Sequence, residues 1–183
     1  FGQVFTPPQI VDTMLALVRH CGRVLEPACG DGAFLRHFPF AVGIEIDPQH
    51  APPGARVMDF FDLPEHESFV TIIGNPPYVR YQDIQPGTRQ RVRRSVLDGR
   101  ANLYLFFMEK CLRHLAPGAE LIFITPRDFV KATSAVPLNR LLHAAGTITD
   151  FVELGDSRLF DGATPNCAIW RFELGNFSRL TRY

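Results

Sequence analysis

The run Phe69-Val70-Thr71-Ile72-Ile73-Gly74 breaks into Asn75-Pro76-Pro77-Tyr78, and this junction constrains the chain more than any other. A run rich in β-branched and aromatic side chains reads as a buried strand. The two prolines end it, because neither has an N–H to donate to a ladder and each ring fixes φ at about −65°. The strand tip becomes a stiff hook in which Asn75, Pro76 and Pro77 project an amide and an orphaned carbonyl from the sheet's carboxyl edge. Open α/β sheets place their ligands at that edge. The Asn75 amide oxygen and the Pro76 carbonyl are two acceptors, which suit an –NH₂ group with two N–H donors. Tyr78 adds a face on which a planar base can stack. Asn and Pro are also ordinary turn residues, so the hook takes its meaning from what surrounds it.

Around it the chain alternates strands and helices. Thr6-Pro7-Pro8-Gln9 predicts a helix start, with Thr6 as N-cap, proline at the first helical position and Gln9 completing a capping box. Ile10, Val11, Met14, Leu15, Leu17 and Val18 then form an apolar stripe at helical period. Arg23–Glu26 reads as a first strand and Pro27–Gly32 as a glycine-rich turn, with a helix beginning over Ala33–Phe38. Ala41–Ile46, Arg56–Met58 and Leu121–Ile124 are further strands. Ala101–Ala116 reads as a helix ended by Gly118, and Leu138–Ala145 as a helix with Gly146 as its C′ residue. Ile148–Leu154 and Asn166–Phe172 close the chain as two strands able to pair as a hairpin. Such alternation predicts an α/β fold: a mostly parallel sheet covered on both faces, with a C-terminal antiparallel hairpin.

The 183 residues, 46% of them hydrophobic, suit one domain with a sizeable core. No apolar stretch approaches the roughly 18 residues of a spanning helix, so no membrane partner is expected. Cys21, Cys29, Cys111 and Cys167 have no metal-binding spacing and read as buried reduced thiols of a cytoplasmic protein. Nineteen basic residues balance nineteen acidic ones, so bulk charge neither supports nor excludes a nucleic-acid partner.

The glycine-rich turn and the strand tips point to a cofactor. Gly30 and Gly32 allow a sharp bend and the close approach of a ligand to backbone amides. A dinucleotide is the obvious rival, but the third glycine of its fingerprint would fall at Leu35. Glu26, just before the turn, would repel a pyrophosphate and attract an ammonium or sulfonium cation. Glu45, at the second strand's tip, is placed to accept from both ribose hydroxyls. Asp59, at the third tip, suits an adenine amino group, with Ile46 and Phe60 flanking the ring. A cationic, adenosine-containing cofactor fits these points, and S-adenosylmethionine is such a molecule.

Read in order, the motifs are Phe5-Thr6-Pro7-Pro8, Glu26-Pro27-Ala28-Cys29-Gly30-Asp31-Gly32-Ala33-Phe34-Leu35, Gly43-Ile44-Glu45-Ile46-Asp47-Pro48, Asp59-Phe60 and Asn75-Pro76-Pro77-Tyr78. Asn102-Leu103-Tyr104, Phe107-Met108-Glu109-Lys110 and Phe123-Ile124-Thr125-Pro126 follow. From Gly2 to about Phe172 the chain resembles the catalytic domain of the gamma-class N6-adenine DNA methyltransferases of bacterial restriction–modification systems. Ala119 stands where the family usually has a second glycine after Pro117-Gly118, a mild departure.

The resemblance implies a class I S-adenosylmethionine-dependent, Rossmann-like methyltransferase fold. It implies that Thr6, Glu26, Ala28, Glu45, Ile46, Asp59, Phe60 and Asn75 hold the cofactor or lie against it. Asn75, Pro76 and Tyr78 would hold a target adenine flipped out of double-stranded DNA, and Phe160 would stack on that base opposite Tyr78. A cognate or fused restriction nuclease is the implied partner, and a bacterial cytoplasm the implied location. It also predicts that residues 1–183 are the catalytic domain of a longer protein with a target-recognition domain beyond them. Cytosine C5 chemistry would need a Pro-Cys nucleophile, and no Pro-Cys dipeptide occurs.

Other readings stay open at this point. Release-factor glutamine methyltransferases also carry Asn-Pro-Pro-Tyr, since a carboxamide is likewise a planar –NH₂. An RNA base is a second target, and a non-catalytic DNA-binding module that kept the fold is a third reading. Arg89, Arg91, Arg93, Arg94 and Arg100 read either as a solvated helix face or as phosphate contacts beside the site.

Overall fold

The computed structural model describes residues 5–92, 95–155 and 166–183. Among these residues seven strands form one sheet: β1 (Val24–Glu26), β2 (Ala41–Glu45), β3 (Arg56–Val57), β4 (Phe69–Gly74), β5 (Leu115–Pro126), β6 (Gly146–Glu153) and β7 (Cys167–Leu174). Their order is β3-β2-β1-β4-β5-β7-β6. All neighbours from β3 to β5 pair in parallel, whereas β7 is antiparallel to both β5 and β6. The expected C-terminal hairpin is therefore present, with its second strand inserted between β5 and the first.

Side chains alternate across this sheet as the pleat requires. Ile72, Leu121 and Phe123 face one core cluster, which holds most of α3 (Leu103–His114) and the buried side of α4 (Val136–Ala145). Ile73, Ile122 and Ile124 face a second cluster under α1 (Pro8–Leu15). Continuous apolar runs such as Leu121–Ile124 are the signature of strands covered on both faces.

Four sequence expectations change. First, α1 begins one residue later than expected: Pro7 is its N-cap and makes no side-chain capping bond, so Thr6 is released from that role. Second, no α-helix follows the glycine-rich turn; a 3₁₀ turn over Leu35–His37 stands there. Pro39 disfavours helical backbone at Phe38, leaving too few residues after Gly32 for α-helix. Third, α3 ends at His114 rather than at Gly118, and the chain passes directly into β5. Fourth, Gly146 has φ 178°, ordinary extended backbone, so it is no left-handed cap. Its lack of a side chain matters because a Cβ there would stand 2.1 Å from the Glu173 carbonyl oxygen of β7.

A buried ionic network pins the segment after α1 to the sheet. Arg171 Nε donates to Glu120 at 2.6 Å, and both side chains are fully buried. Glu120 also accepts from the Thr71 hydroxyl and from the Arg19 and His20 amides. Of the cysteines, Cys29, Cys111 and Cys167 are buried as expected, but Cys21 is exposed, and all four are free.

Candidate active site

The sheet's order reverses between β1 and β4: the chain steps outward through β2 and β3 on one side, and through β5 on the other. Crevices for ligands open at the carboxyl ends of strands at such a reversal. The residues at that edge are the ones the sequence singled out. β1 ends in Glu26, β2 in Glu45, β3 leads into Asp59, and β4 into Asn75. Glu26 and the end of β4 are neighbours, since a Cβ on Gly74 would lie 3.8 Å from Glu26 Cγ.

Asn75 is only partly buried, but its amide is held. Nδ2 donates to Thr6 Oγ1 at 3.4 Å, which turns Oδ1 the other way. That oxygen is buried and has no hydrogen-bond partner among the described residues. A buried acceptor left unpaired is costly, and an N–H donor brought to this edge would satisfy it. Pro76 beside it is buried. Tyr78 is anchored rather than free: its hydroxyl donates to the Ile124 carbonyl at 2.9 Å, and its ring packs edge-on to Tyr104 at 5.8 Å between centroids. Burial raises the pKa of both phenols.

Glu26 is 2% exposed, and burial pushes its pKa up to about 8, partly offset by the Leu35 and Phe34 amides. The Leu35 amide reaches its carboxylate at 3.0 Å. A buried carboxylate held near neutrality by desolvation gains most from a cation placed beside it. The glycine turn packs below: Gly30 and Gly32 adopt φ +50° and +76°, and Ala28 is half-buried. Burial, followed by the charges of Glu26 and Glu45, raises the neighbouring Cys29 thiol to about 12, so it stays protonated.

Glu45 has a structural role that the sequence did not reveal. Its two oxygens accept from the Gly30 and Asp47 amides, each at 2.9 Å, so it ties the glycine turn to β2. Each carboxylate oxygen keeps acceptor capacity for a further donor. Asp59 is similarly engaged: Oδ1 accepts from the Phe61 amide at 3.0 Å and Oδ2 from the Thr88 hydroxyl. Thr88 lies on α2 (Pro86–Arg91) and nothing in its sequence context marks it, because it sits in an arginine-rich stretch.

Ile46, 55% exposed, stands free at the edge. The Phe60 ring, expected to flank the cofactor's adenine, is 2% exposed and packs 4.9 Å from the Phe107 ring in the core. Phe160 lies outside the described residues, as do Arg93 and Arg94. The other arginines bind their own chain. Arg89 donates to the Gln82 and Ile84 carbonyls, Arg91 pairs with Asp62 through two bonds of 2.6 and 2.7 Å, and Arg100 pairs with Asp98. Of these, Arg100 is the most exposed, with 74% of its side chain accessible, and Arg91 keeps 38%. Among the described residues no group of three or more His, Cys, Asp or Glu side chains could hold a metal ion, and no helix is long and apolar enough to cross a membrane.

This sheet order, with acidic residues at three strand tips and an Asn-Pro-Pro-Tyr hook at the fourth, defines a class I S-adenosylmethionine-dependent methyltransferase fold. Solved structures share it. The M protein of the type I restriction enzyme EcoKI superposes with a TM-score of 0.74 at 16% identity, over 94% of this chain and 44% of that one. The N-methyltransferase NodS of Bradyrhizobium japonicum does so with a TM-score of 0.59 at 18% identity, over 91% of this chain and 94% of that one. The chain belongs to the Eco57I restriction-modification methylase family, whose pattern matches residues 45–160.

Among its relatives is the type II methyltransferase M.TthHB8I of Thermus thermophilus, 36% identical over 95% of this chain and 45% of that protein. The type II methyltransferase M.HincII of Haemophilus influenzae is 27% identical over 95% of this chain and 37% of its own length. The chain thus spans less than half the length of these relatives.

Proposed function

We propose that the protein containing this chain transfers a methyl group from S-adenosylmethionine to the N6 amino group of an adenine flipped out of double-stranded DNA, within a restriction–modification system. The observation that carries this reading is the buried, unpartnered Oδ1 of Asn75, held in place by the Thr6 hydroxyl at the tip of β4. An acceptor in that position suits an incoming N–H, and the Pro76 carbonyl beside it suits the second N–H of the same –NH₂.

The residues present fit the cofactor. Glu26 is a buried carboxylate suited to the cationic methionine portion, Glu45 to the ribose hydroxyls and Asp59 to the adenine amino group, with Ile46 against the ring and Gly30, Gly32 and Ala28 giving close approach. S-adenosylmethionine supplies an electrophilic methyl on sulfur. The chain's own task is to make a poor nucleophile attack. The exocyclic nitrogen of adenine is delocalised into its ring. Asn75 Oδ1 and the Pro76 carbonyl draw its two N–H bonds out of the ring plane and expose the lone pair. Pro77 stiffens the hook, and Tyr78, fixed through Ile124, offers a surface for the base, with Phe160 assigned to its opposite face. Positioning and fixed dipoles then carry the rate, with no covalent enzyme intermediate.

The test is to incubate the full-length protein and isotopically labelled cofactor with DNA, with RNA and with a release factor in parallel, then digest each substrate and identify the labelled nucleoside or amino acid by mass spectrometry. Labelled N6-methyladenine is expected. Label in N4-methylcytosine, in RNA, or in a release-factor glutamine would replace the target, and no label in any of them would leave only a DNA-binding role. Sequencing the methylated DNA then gives the recognition site, and a restriction nuclease acting on that site is the expected partner.

A further inference from the structure

We infer that Thr88 is a positioning residue for Asp59, and that this pair sets the preference for a 6-amino purine in the cofactor; the inference rests on the proposed role of Asp59 as the adenine acceptor. Asp59 follows β3, a two-residue strand at the sheet's edge that offers little to hold a side chain in one orientation. Two donors from its own chain supply that restraint. The Phe61 amide takes Oδ1, and the buried Thr88 hydroxyl takes Oδ2 from a helix 29 positions further on. With each oxygen holding one internal donor, the plane of the carboxylate is fixed and acceptor capacity remains on both.

The charge nearby is also settled. Arg91 Nε lies 3.9 Å from Asp59 Oδ2 but makes its close bonds to Asp62, so Asp59 is left as an acceptor for a neutral donor rather than consumed by a guanidinium. An adenine amino group is such a donor. A hypoxanthine ring presents a carbonyl at the same place and would set oxygen against oxygen. The helix that carries Thr88 is itself secured to the loop after the hook by Arg89, whose guanidinium donates to the Gln82 and Ile84 carbonyls. Thr88 therefore holds Asp59 from a support that is also fastened to the target-base loop.

The experiment measures affinities of the full chain for S-adenosylhomocysteine and for its hypoxanthine counterpart, S-inosylhomocysteine, in the parent protein, Thr88→Val and Thr88→Ser. The parent is expected to prefer the adenine form. Thr88→Val, nearly the same shape without the hydroxyl, should weaken the adenine form by about tenfold, the worth of one hydrogen bond to a charged group. It should leave the hypoxanthine form unchanged, and Thr88→Ser should restore the preference. Unchanged affinity for the hypoxanthine form also reports that the variant is folded. A Thr88→Val protein that keeps the parent's preference, or that loses both ligands equally, overturns the positioning role while leaving Asp59 as the acceptor. A parent without preference between the two ligands overturns the Asp59 assignment itself.

Discussion

Thr6 and Asn75 are 69 positions apart in the chain, yet the Thr6 hydroxyl accepts the Asn75 amide nitrogen at 3.4 Å. The bond decides which end of the amide faces the site: with Nδ2 committed, Oδ1 is the end left buried and unpaired. The residue expected to cap a helix instead orients the side chain proposed to hold the target.

Replacing that hydroxyl should therefore act on turnover. Thr6→Val leaves the amide free to turn, and kcat is expected to fall several-fold, up to about tenfold, as for the loss of one modest hydrogen bond. Asn75→Ala removes the acceptor and should nearly abolish turnover while changing cofactor affinity little. Single-turnover methylation alongside calorimetric titration of the cofactor separates these effects. Equal losses in turnover and cofactor affinity for Asn75→Ala would make the hook a structural feature only.

Glu26 should give the cofactor-free protein a distinctive pH dependence. Its folded pKa of about 8 lies above its ordinary value of 4.5, so the folded chain holds the proton more tightly than the unfolded chain does. Stability from this group is thus greatest below about pH 4.5, falls as pH rises toward about 8, and stays low above that. The penalty at high pH is on the order of a few kcal/mol. Glu26→Gln keeps an acceptor for the Leu35 amide and removes the titration. Its melting temperature should exceed the parent's at about pH 8 and vary less with pH. Because a cationic ligand favours the carboxylate, cofactor binding near pH 7 should release protons, measurable by calorimetry in buffers of different ionisation enthalpy.

Glu45→Ala should fail in two ways. Loss of acceptors for the ribose hydroxyls weakens the cofactor, and the Gly30 and Asp47 amides lose their partner even without ligand. Denaturant unfolding of the cofactor-free protein is expected to show a loss of about 1–3 kcal/mol. A variant as stable as the parent would mean that water replaces the carboxylate at both amides.

Gly146→Ala should be more damaging than Gly118→Ala. At Gly146 the new Cβ meets the Glu173 carbonyl oxygen at 2.1 Å, so β6 and β7 must separate. At Gly118 there is open space, and the cost is that of a non-glycine residue at φ +73°, about 1 kcal/mol. Thermal unfolding of the two variants gives the comparison, and equal losses would show that the hairpin yields easily.

The strand–helix order, the buried strands and the stiff ending of β4 were legible in the sequence because they rest on short-range rules: periodicity, proline geometry and the flexibility of glycine. The acidic strand tips were legible for the same reason, since parallel strands put every tip on one edge. Tertiary structure alone decided what each side chain meets there. It turned Thr6 from a cap into a partner of Asn75, drew Phe60 into the core against Phe107, and set Glu45 on the Gly30 amide. It also spent Arg89, Arg91 and Arg100 on their own chain and placed Thr88 on Asp59. These pairings depend on strand order and on how helices cross the sheet, and a partner tens of residues away leaves no periodic trace in the sequence.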